Sequence, residues 1–510
     1  MLEAPRQGTR KRALVLGSRR LRLWPLLGLI GLTCGLALAS VRPTGDGGEY
    51  LLEAHAFASH GTPEIRLQDA RWLRERVPSL RGVARRLASG IETASVAPIE
   101  SVRRDPSGAY YSIHFWFYSL LSAPFLALTD LAGASPALAL GALNGIAASA
   151  CLLALWKHFE QSQFAFPAGV LFLLAGTTFY LGWTGPEVLT GSATIIACVR
   201  ARRGDLAGGL LASAVASVQN ASAGALLPFT LWCWWPRRRG LSKVQLAACA
   251  AAVALAALPY AFFFSHYRIP SLTARFATDP RLIGLERAWS FVFDLNQGLV
   301  LGLPGILAAA IAAPLVAAAT GVERRGLVRE VASTLVLVLA MAAPTLSVYN
   351  WNAGESVILR YGFWVALPLL ALVLEIVARF ESRLRCAFAL AVGALQVAAV
   401  APNGFLGERS SYLRHSWAAS MVLRHFPAAY NPVREIFFER SLGREASPAV
   451  AAVVAWPPHR STKVLWDRSR PALSARLCPD GGIVTSDRVH DAGDGWLYLD
   501  PPFRCSPRAP

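Results

Sequence analysis

Leu23-Trp24-Pro25-Leu26-Leu27-Gly28-Leu29-Ile30-Gly31-Leu32-Thr33-Cys34-Gly35-Leu36-Ala37-Leu38-Ala39-Ser40-Val41 runs for 19 residues without a charge, just after Arg10, Lys11, Arg12, Arg19, Arg20 and Arg22. A spanning helix needs about 20 mostly apolar residues, whereas the core of a cleaved signal is roughly 7–15 residues long. The run therefore predicts an uncleaved first transmembrane helix whose N-terminus is cytoplasmic. Comparable runs recur along the whole chain. Of its 510 residues 54% are hydrophobic and 16% charged, against about 25% charged in soluble domains. A single globular core cannot hide that much apolar surface, but a bilayer can.

The formal net charge of +18 raises the question of nucleic acid, which its distribution answers. Basic residues gather in short stretches between apolar runs: Arg200, Arg202 and Arg203; Arg237, Arg238, Arg239 and Lys243; Arg324, Arg325 and Arg329; Arg379, Arg383 and Arg385. Short basic loops beside apolar helices are the pattern of cytoplasmic loops. A nucleic-acid-binding domain would instead collect its charge on one soluble face. No nucleic-acid partner is expected.

With those loops placed inside, the second half threads as spans over 244–264, 297–320, 331–349, 361–377 and 386–401. The stretch 206–235 has basic clusters at both ends. It reads as two short helices meeting at a polar tip of Ser217, Gln219, Asn220 and Ser222. The apolar segments 113–131, 137–156, 164–183 and 186–199 cannot all cross, because Arg200 would then lie outside. The aromatic run Phe115-Trp116-Phe117-Tyr118 makes 113–131 the segment expected to be re-entrant or partly inserted. The count is then about eleven crossings.

Three regions are organised differently. Residues 1–22 form a basic cytoplasmic N-terminus. Residues 42–111 form a polar first external loop. Within it 49–57 and 72–87 show apolar residues at three- and four-residue steps, read as amphipathic helices on the membrane surface or as a loop with incidental periodicity. Pro78 must break the second of them. Residues 403–510 are long enough for a small external domain, beyond the transmembrane part at 23–402. Cys478 and Cys505 are the only cysteines of that tail. They are either a disulfide, permitted outside the cytoplasm, or two unpaired thiols. The fold class is thus an all-α polytopic membrane bundle with an amphipathic first loop and an external C-terminal domain.

No metal-ligand spacing, phosphate-cradling glycine loop or nucleophile elbow is present. The chemistry-bearing residues are polar groups at the external ends of helices. Asp46 lies in Gly45-Asp46-Gly47-Gly48-Glu49-Tyr50, where glycines expose its carboxylate at the membrane boundary; alone, it also reads as a solvated loop residue.

In combination, the residues resemble the C-type (GT-C) superfamily of polytopic glycosyltransferases, which includes protein mannosyltransferases and lipid A aminoarabinose transferases. Thr44-Gly45-Asp46-Gly47-Gly48-Glu49-Tyr50-Leu51-Leu52, with Ala54 and Ser59-His60-Gly61, is similar to the bacterial form of that superfamily's first-loop acidic motif. Tyr111-Ser112-Ile113-His114, Pro186-Glu187, Phe293-Asp294, Gln297-Gly298-Leu299, Trp351, Gly354 and Arg360-Tyr361 follow in the order of later family landmarks. The resemblance implies transfer of a sugar from a polyprenyl-phosphate donor to a lipid, glycan or protein acceptor. The reaction would take place outside the cytoplasm, in a bacterial inner (plasma) membrane.

On that reading Asp46 is the general base, supplemented by Glu49. Arg360, Arg275 and Arg281 are the cations for the donor phosphate, Arg360 first; it also reads as an interface anchor. His114, Glu187 and Tyr50 would bind substrate, and a divalent metal is admissible. One position departs from the family: where many relatives carry a second carboxylate directly after the first, this chain has Gly47. A non-catalytic member, and a transporter or flippase for a lipid-linked or anionic substrate, are the alternatives.

Overall fold

The computed structural model describes residues 7–41, 43, 46–160, 164–237, 240–321, 323–355, 357–403, 411–445, 453–457, 461–469 and 483–506. Thr44, Gly45, Arg238 and Arg239 lie outside these residues, as does Cys478, and with it the Cys478–Cys505 pairing. The chain divides into two compact units, Met1–Pro270 with Leu370–Gly393, and Ser271–Leu369 with Ala394–Pro510.

The first unit begins with α1 (Gln7–Ser40), α2 (Gly47–His60), α3 (Leu67–Arg76) and α4 (Arg81–Glu92). The hairpin β1 (Val102–Arg104) and β2 (Tyr110–Ser112) follows, then α5 (Phe117–Leu131) and α6 (Ala137–Phe159). After α7 (Ala165–Phe172) and α8 (Thr178–Tyr180) come α9 (Glu187–Arg203), α10 (Leu206–Gln219), α11 (Leu226–Trp234) and α12 (Lys243–Tyr267). Among the described residues six helical segments are long and apolar enough to cross a membrane: Leu23–Ser40, Ala137–Phe159, Lys243–Tyr267, Arg324–Thr345, Arg360–Val377 and Ser382–Ala399. Five shorter apolar helices accompany them. Exposure makes the membrane reading physical. The apolar window of α12 has a mean hydropathy of 2.1 yet is only 11% buried, which a helix tolerates in lipid and not in water. The chain is a helical membrane protein.

Small residues let these helices close up. Gly141 and Gly145 of α6 stand one turn apart; a Cβ on the first would sit 2.8 Å from the Ala37 carbonyl oxygen, and one on the second 3.4 Å from Cys34 Cα. Such small-residue faces allow membrane helices to pack backbone to backbone.

The first loop folds as its periodicity predicts, into helices broken at Val77–Pro78. The 206–235 stretch is also two helices, with a 3₁₀ turn at Ala221–Ala225 between them. The polar tip is held from two sides. Gln219 accepts a bond from the Tyr118 amide at 2.9 Å and donates to the Phe115 carbonyl at 2.9 Å, and Asn220 donates to Thr190 at 2.6 Å.

In the second unit, α13 (Leu272–Phe276), α14 (Leu285–Phe293), α15 (Leu299–Gly302), α16 (Pro304–Ala319) and α17 (Arg324–Thr345) precede the hairpin β3 (Gly354–Glu355) and β4 (Ile358–Leu359). Two helices, α18 (Arg360–Val377) and α19 (Ser382–Val400), run from one unit's residues into the other's. The tail departs from an all-helical expectation. After α20 (Trp417–His425) and α21 (Arg434–Leu442), strands β5 (Val453–Trp456), β6 (Lys463–Asp467), β7 (Ile483–Asp491) and β8 (Trp496–Ser506) form an antiparallel sheet. Its strand order is β5-β6-β8-β7. Leu423, Phe437, Phe438, Leu465 and Tyr498 fill the core between helices and sheet.

The tail groups with residues 271–369, and polar contacts account for this. Arg287 of α14 donates to the Leu346 carbonyl at 2.7 Å and to Glu435 at 2.9 Å. Tyr430 donates to Asp294 at 2.8 Å. Asn352 donates to Glu439 at 2.8 Å, beside the buried Arg440.

Burial pushes the Glu439 carboxyl up to about 7, against the opposing pull of Arg440 and the Asn352 bond. A raised folded-state value stabilises the fold fully below the ordinary carboxyl range, and that contribution is lost as pH rises through about 7. Thermal unfolding across this window should show wild type losing stability relative to Glu439→Gln as pH rises. A constant difference between the two would refute the assignment.

Candidate functional site

The site is built at the N-terminus of α2. Asp46 is its N-cap residue, and its carbonyl accepts from the amides of Glu49 at 3.0 Å and Tyr50 at 3.3 Å. Its side chain makes no capping bond, so the carboxylate is not tied to the helix amides. Instead its Oδ2 lies 3.6 Å from Nε2 of His114, which in turn is 3.9 Å from Oε2 of Glu49. One ligand atom from each of Asp46, Glu49 and His114 can be chosen so that all lie within 4.8 Å of one another.

Local structure fixes each member. Glu49 is one turn into α2 and buried, and it accepts a bond from the Ser112 hydroxyl at 3.0 Å. The same hydroxyl accepts from the His114 amide at 3.0 Å, so the end of β2 sets carboxylate and imidazole together. Tyr50 lies beside the imidazole, ring centroids 5.8 Å apart, and meets Tyr118 edge-on at 5.3 Å. Four residues after Glu49 on α2, Glu53 is 1% exposed and accepts from Ser119 at 2.9 Å. Burial holds both the Glu49 and Glu53 carboxyls well above the usual carboxylate range. For Glu49 the neighbouring Asp46 charge adds to this, while hydrogen bonds from Ser101 and Ser112 oppose it.

Among the described residues, Asp46, Glu49 and His114 are the ones that could hold a metal ion. Two carboxylates and one imidazole nitrogen suit a divalent ion of intermediate hardness. A positive charge there would offset the repulsion that raises the Glu49 carboxyl.

Gly47 has a structural cause. A Cβ at this position would lie 2.1 Å from Oγ1 and 2.7 Å from Cβ of Thr184, which is fully buried. No side chain fits between Asp46 and the Thr184 turn, and the second carboxylate of the cluster comes from Glu49. The same turn leads into Glu187, the first residue of α9, which is 5% exposed. Its Oε2 and the Trp183 indole nitrogen flank Gly185, at 2.5 and 2.9 Å from where a Cβ would stand.

Asp46, Glu49, His114 and Tyr50 are therefore brought together, and Glu187 follows the turn that packs on Gly47. The three arginines belong to the second unit. Arg275 is exposed on α13. Arg281, with its side chain 90% exposed, is paired with Asp279 at 2.7 Å. Arg360 opens α18 half-buried, and its Nη2 donates to the Tyr361 hydroxyl at 3.0 Å.

Sequence reading passed over Glu53 and Thr184. The four-residue step from Glu49 to Glu53 was a usable signal, because it puts both on one helix face. Nothing local marks Thr184, whose role is a contact made across the fold. No family model, curated protein or solved structure matches this chain.

Proposed function

We propose that this protein is an integral membrane glycosyltransferase that moves a sugar from a polyprenyl-phosphate donor to an acceptor outside the cytoplasm. The observation that carries the reading is the convergence of Asp46, Glu49 and His114 at the mouth of the first loop. In the reaction the bond from the sugar's anomeric carbon to the donor phosphate breaks, and one from that carbon to the acceptor oxygen forms. The acceptor's proton passes to the Asp46 carboxylate, and polyprenyl phosphate leaves. His114 and Tyr50 border the carboxylate and orient the acceptor. Asp46, Glu49 and His114 are also the side chains that would hold a divalent cation, which when bound would supply charge stabilisation to a phosphate. Arg360, Arg275 and Arg281 remain the proposed donor-phosphate ligands. Arg281 would have to exchange its Asp279 partner for the phosphate.

An external site fits the helix order. Both ends of α5 are tied to first-loop or tip residues: its start to Gln219 and Glu53, its end through Asp130 to Trp72 at 3.2 Å and Arg76 at 3.0 Å. This supports a path in which α5 does not cross. Then α6, the α7–α8 segment and α9 carry the chain from the outer face to Arg200 inside. With α10 and α11 as a short pair, about eleven crossings place the first loop and the tail outside, the basic loops inside.

The test is reconstitution of the full-length chain in vesicles with a polyprenyl-phosphate-linked sugar and a glycolipid acceptor. Release of polyprenyl phosphate together with a new sugar–acceptor bond is expected. Appearance of intact donor in the opposite leaflet, with no bond cleaved, would replace the proposal by a flippase.

A further inference from the structure

The first loop carries a second charged feature, remote in kind from the acidic cluster. Most of its arginines are engaged: Arg66 with Glu64 at 2.8 Å, Arg71 with Glu92 at 3.8 Å, Arg74 with Glu75 at 3.7 Å and Arg76 with Asp130 at 3.0 Å. Arg103 and Arg104 donate to main-chain carbonyls. On α4, Arg81, Arg85 and Arg86 have no carboxylate within ion-pair distance among the described residues. The one acid of that helix, Glu92, faces Arg71 instead.

Arg85 and Arg86 line an open groove of about 440 Å³, with Ser89, Gly90, Thr93, Ser95 and Pro98 completing it. Residues four apart share a helix face, so Arg81, Arg85 and Ser89 stand in a row along it. The far wall is the 95–98 segment, which comes in over Gly90. A Cβ at Gly90 would lie 2.3 Å from Pro98 Cβ, so the absence of a side chain there sets the groove's width. Thr93 spends its hydroxyl on the Ser89 carbonyl at 2.9 Å, whereas the Ser89 hydroxyl stays exposed on the rim. Next to Ser95, Val96 leaves an apolar side chain 71% exposed.

Two guanidiniums without acids, a hydroxyl beside them and one exposed apolar side chain, Val96, next to the lining residue Ser95 form a complement for a phosphodiester that carries acyl chains. We propose that this groove binds the phosphate of an anionic phospholipid headgroup in the outer leaflet, anchoring α4 on the membrane surface. The exposed Val96 beside the groove and the membrane-embedded character of the chain favour a lipid over free phosphate. This inference is independent of glycosyl transfer.

The experiment titrates detergent-purified full-length protein with short-chain phosphatidylglycerol, short-chain phosphatidylcholine and inorganic phosphate, each below micelle formation. Phosphatidylglycerol should bind wild type, with affinity falling as salt rises, and at least about tenfold more weakly to the Arg85→Gln/Arg86→Gln double variant. The charge-keeping Arg85→Lys/Arg86→Lys variant, which loses the guanidinium fork but keeps both charges, should bind more weakly than wild type and more tightly than the glutamine variant, and Arg74→Gln, whose arginine is already paired, should be unchanged. The lysine variant separates lost charge from lost folding. Equal binding of phosphatidylglycerol by wild type and the glutamine variant overturns the proposal. Phosphatidylcholine, which carries the same phosphodiester beneath a cationic choline, binding as tightly would show that the groove does not select an anionic headgroup, and inorganic phosphate displacing the lipid with equal strength would make this a free-anion site; either result also overturns the proposal.

Discussion

Asp46→Asn is expected to lower glycosyl transfer by about 10²- to 10⁴-fold, the range that a positioned general base contributes. The substitution is nearly isosteric and isolates the chemistry. The Asp46 side chain makes no capping bond to α2, and the two bonds at the helix start go to its carbonyl, which asparagine keeps. Asparagine is as good an N-cap residue as aspartate. Membrane insertion and thermal unfolding should therefore match wild type, and only the capacity to accept a proton 3.6 Å from His114 should disappear. Transfer measured as released polyprenyl phosphate per protein is the readout. Wild-type rates in a correctly inserted variant would remove Asp46 from the mechanism. A fall matched by lost folding would transfer its role from chemistry to structure.

What could be read in the sequence follows from how far each signal reaches along the chain. Apolar runs and Pro78 act locally, so the long helices and the break in the first loop were legible. The polar tip at Gln219–Asn220 was legible for the same reason: groups of that kind interrupt an apolar run unless partners satisfy them. Charge balance across the bilayer is a global constraint, and it required one of the four segments between 113 and 199 not to cross, the aromatic run at 115–118 pointing to 113–131. The ties from α5 to Gln219, Glu53, Trp72 and Arg76 are made by side chains that no local rule connects.

The acidic motif was visible as residue types, but its geometry depended on Ser112 bridging Glu49 and His114. The sheet of the tail was not read at all. Its β6 pairs with β8 past the intervening β7, and the helical part of the tail is tied through Glu435, Tyr430 and Ser416 to Arg287, Asp294 and Asn296, more than a hundred residues earlier in the chain.

The apparent loss of a second carboxylate at Gly47 yields the sharpest structural test. Were Gly47 merely a degenerate position of the resembled glycosyltransferase motif, Gly47→Asp would restore that motif and raise or preserve the proposed activity. The geometry demands the opposite. An added Cβ would stand 2.1 Å from Thr184 Oγ1 and 2.7 Å from Thr184 Cβ, far inside van der Waals contact, and Thr184 is fully buried. Overpacking of a buried contact costs about 1–3 kcal/mol and occasionally more. Relief here means displacing either the start of α2 or the Trp183–Glu187 turn. A shift of about 1 Å at a catalytic group lowers a rate by roughly 100-fold, so Gly47→Asp should lose both thermal stability and transfer. Thr184→Gly removes the two clashing side-chain atoms, and of the three atoms nearest the added Cβ the Thr184 carbonyl oxygen remains, at 3.3 Å. The double variant Gly47→Asp/Thr184→Gly should therefore regain stability relative to Gly47→Asp, a coupling that a thermal-unfolding double-mutant cycle measures directly. Additive losses in that cycle would show that the Gly47–Thr184 contact does not set the position of Asp46. Coupled recovery would mean that packing excludes a carboxylate at position 47 and that Glu49 supplies it from one turn further along the helix.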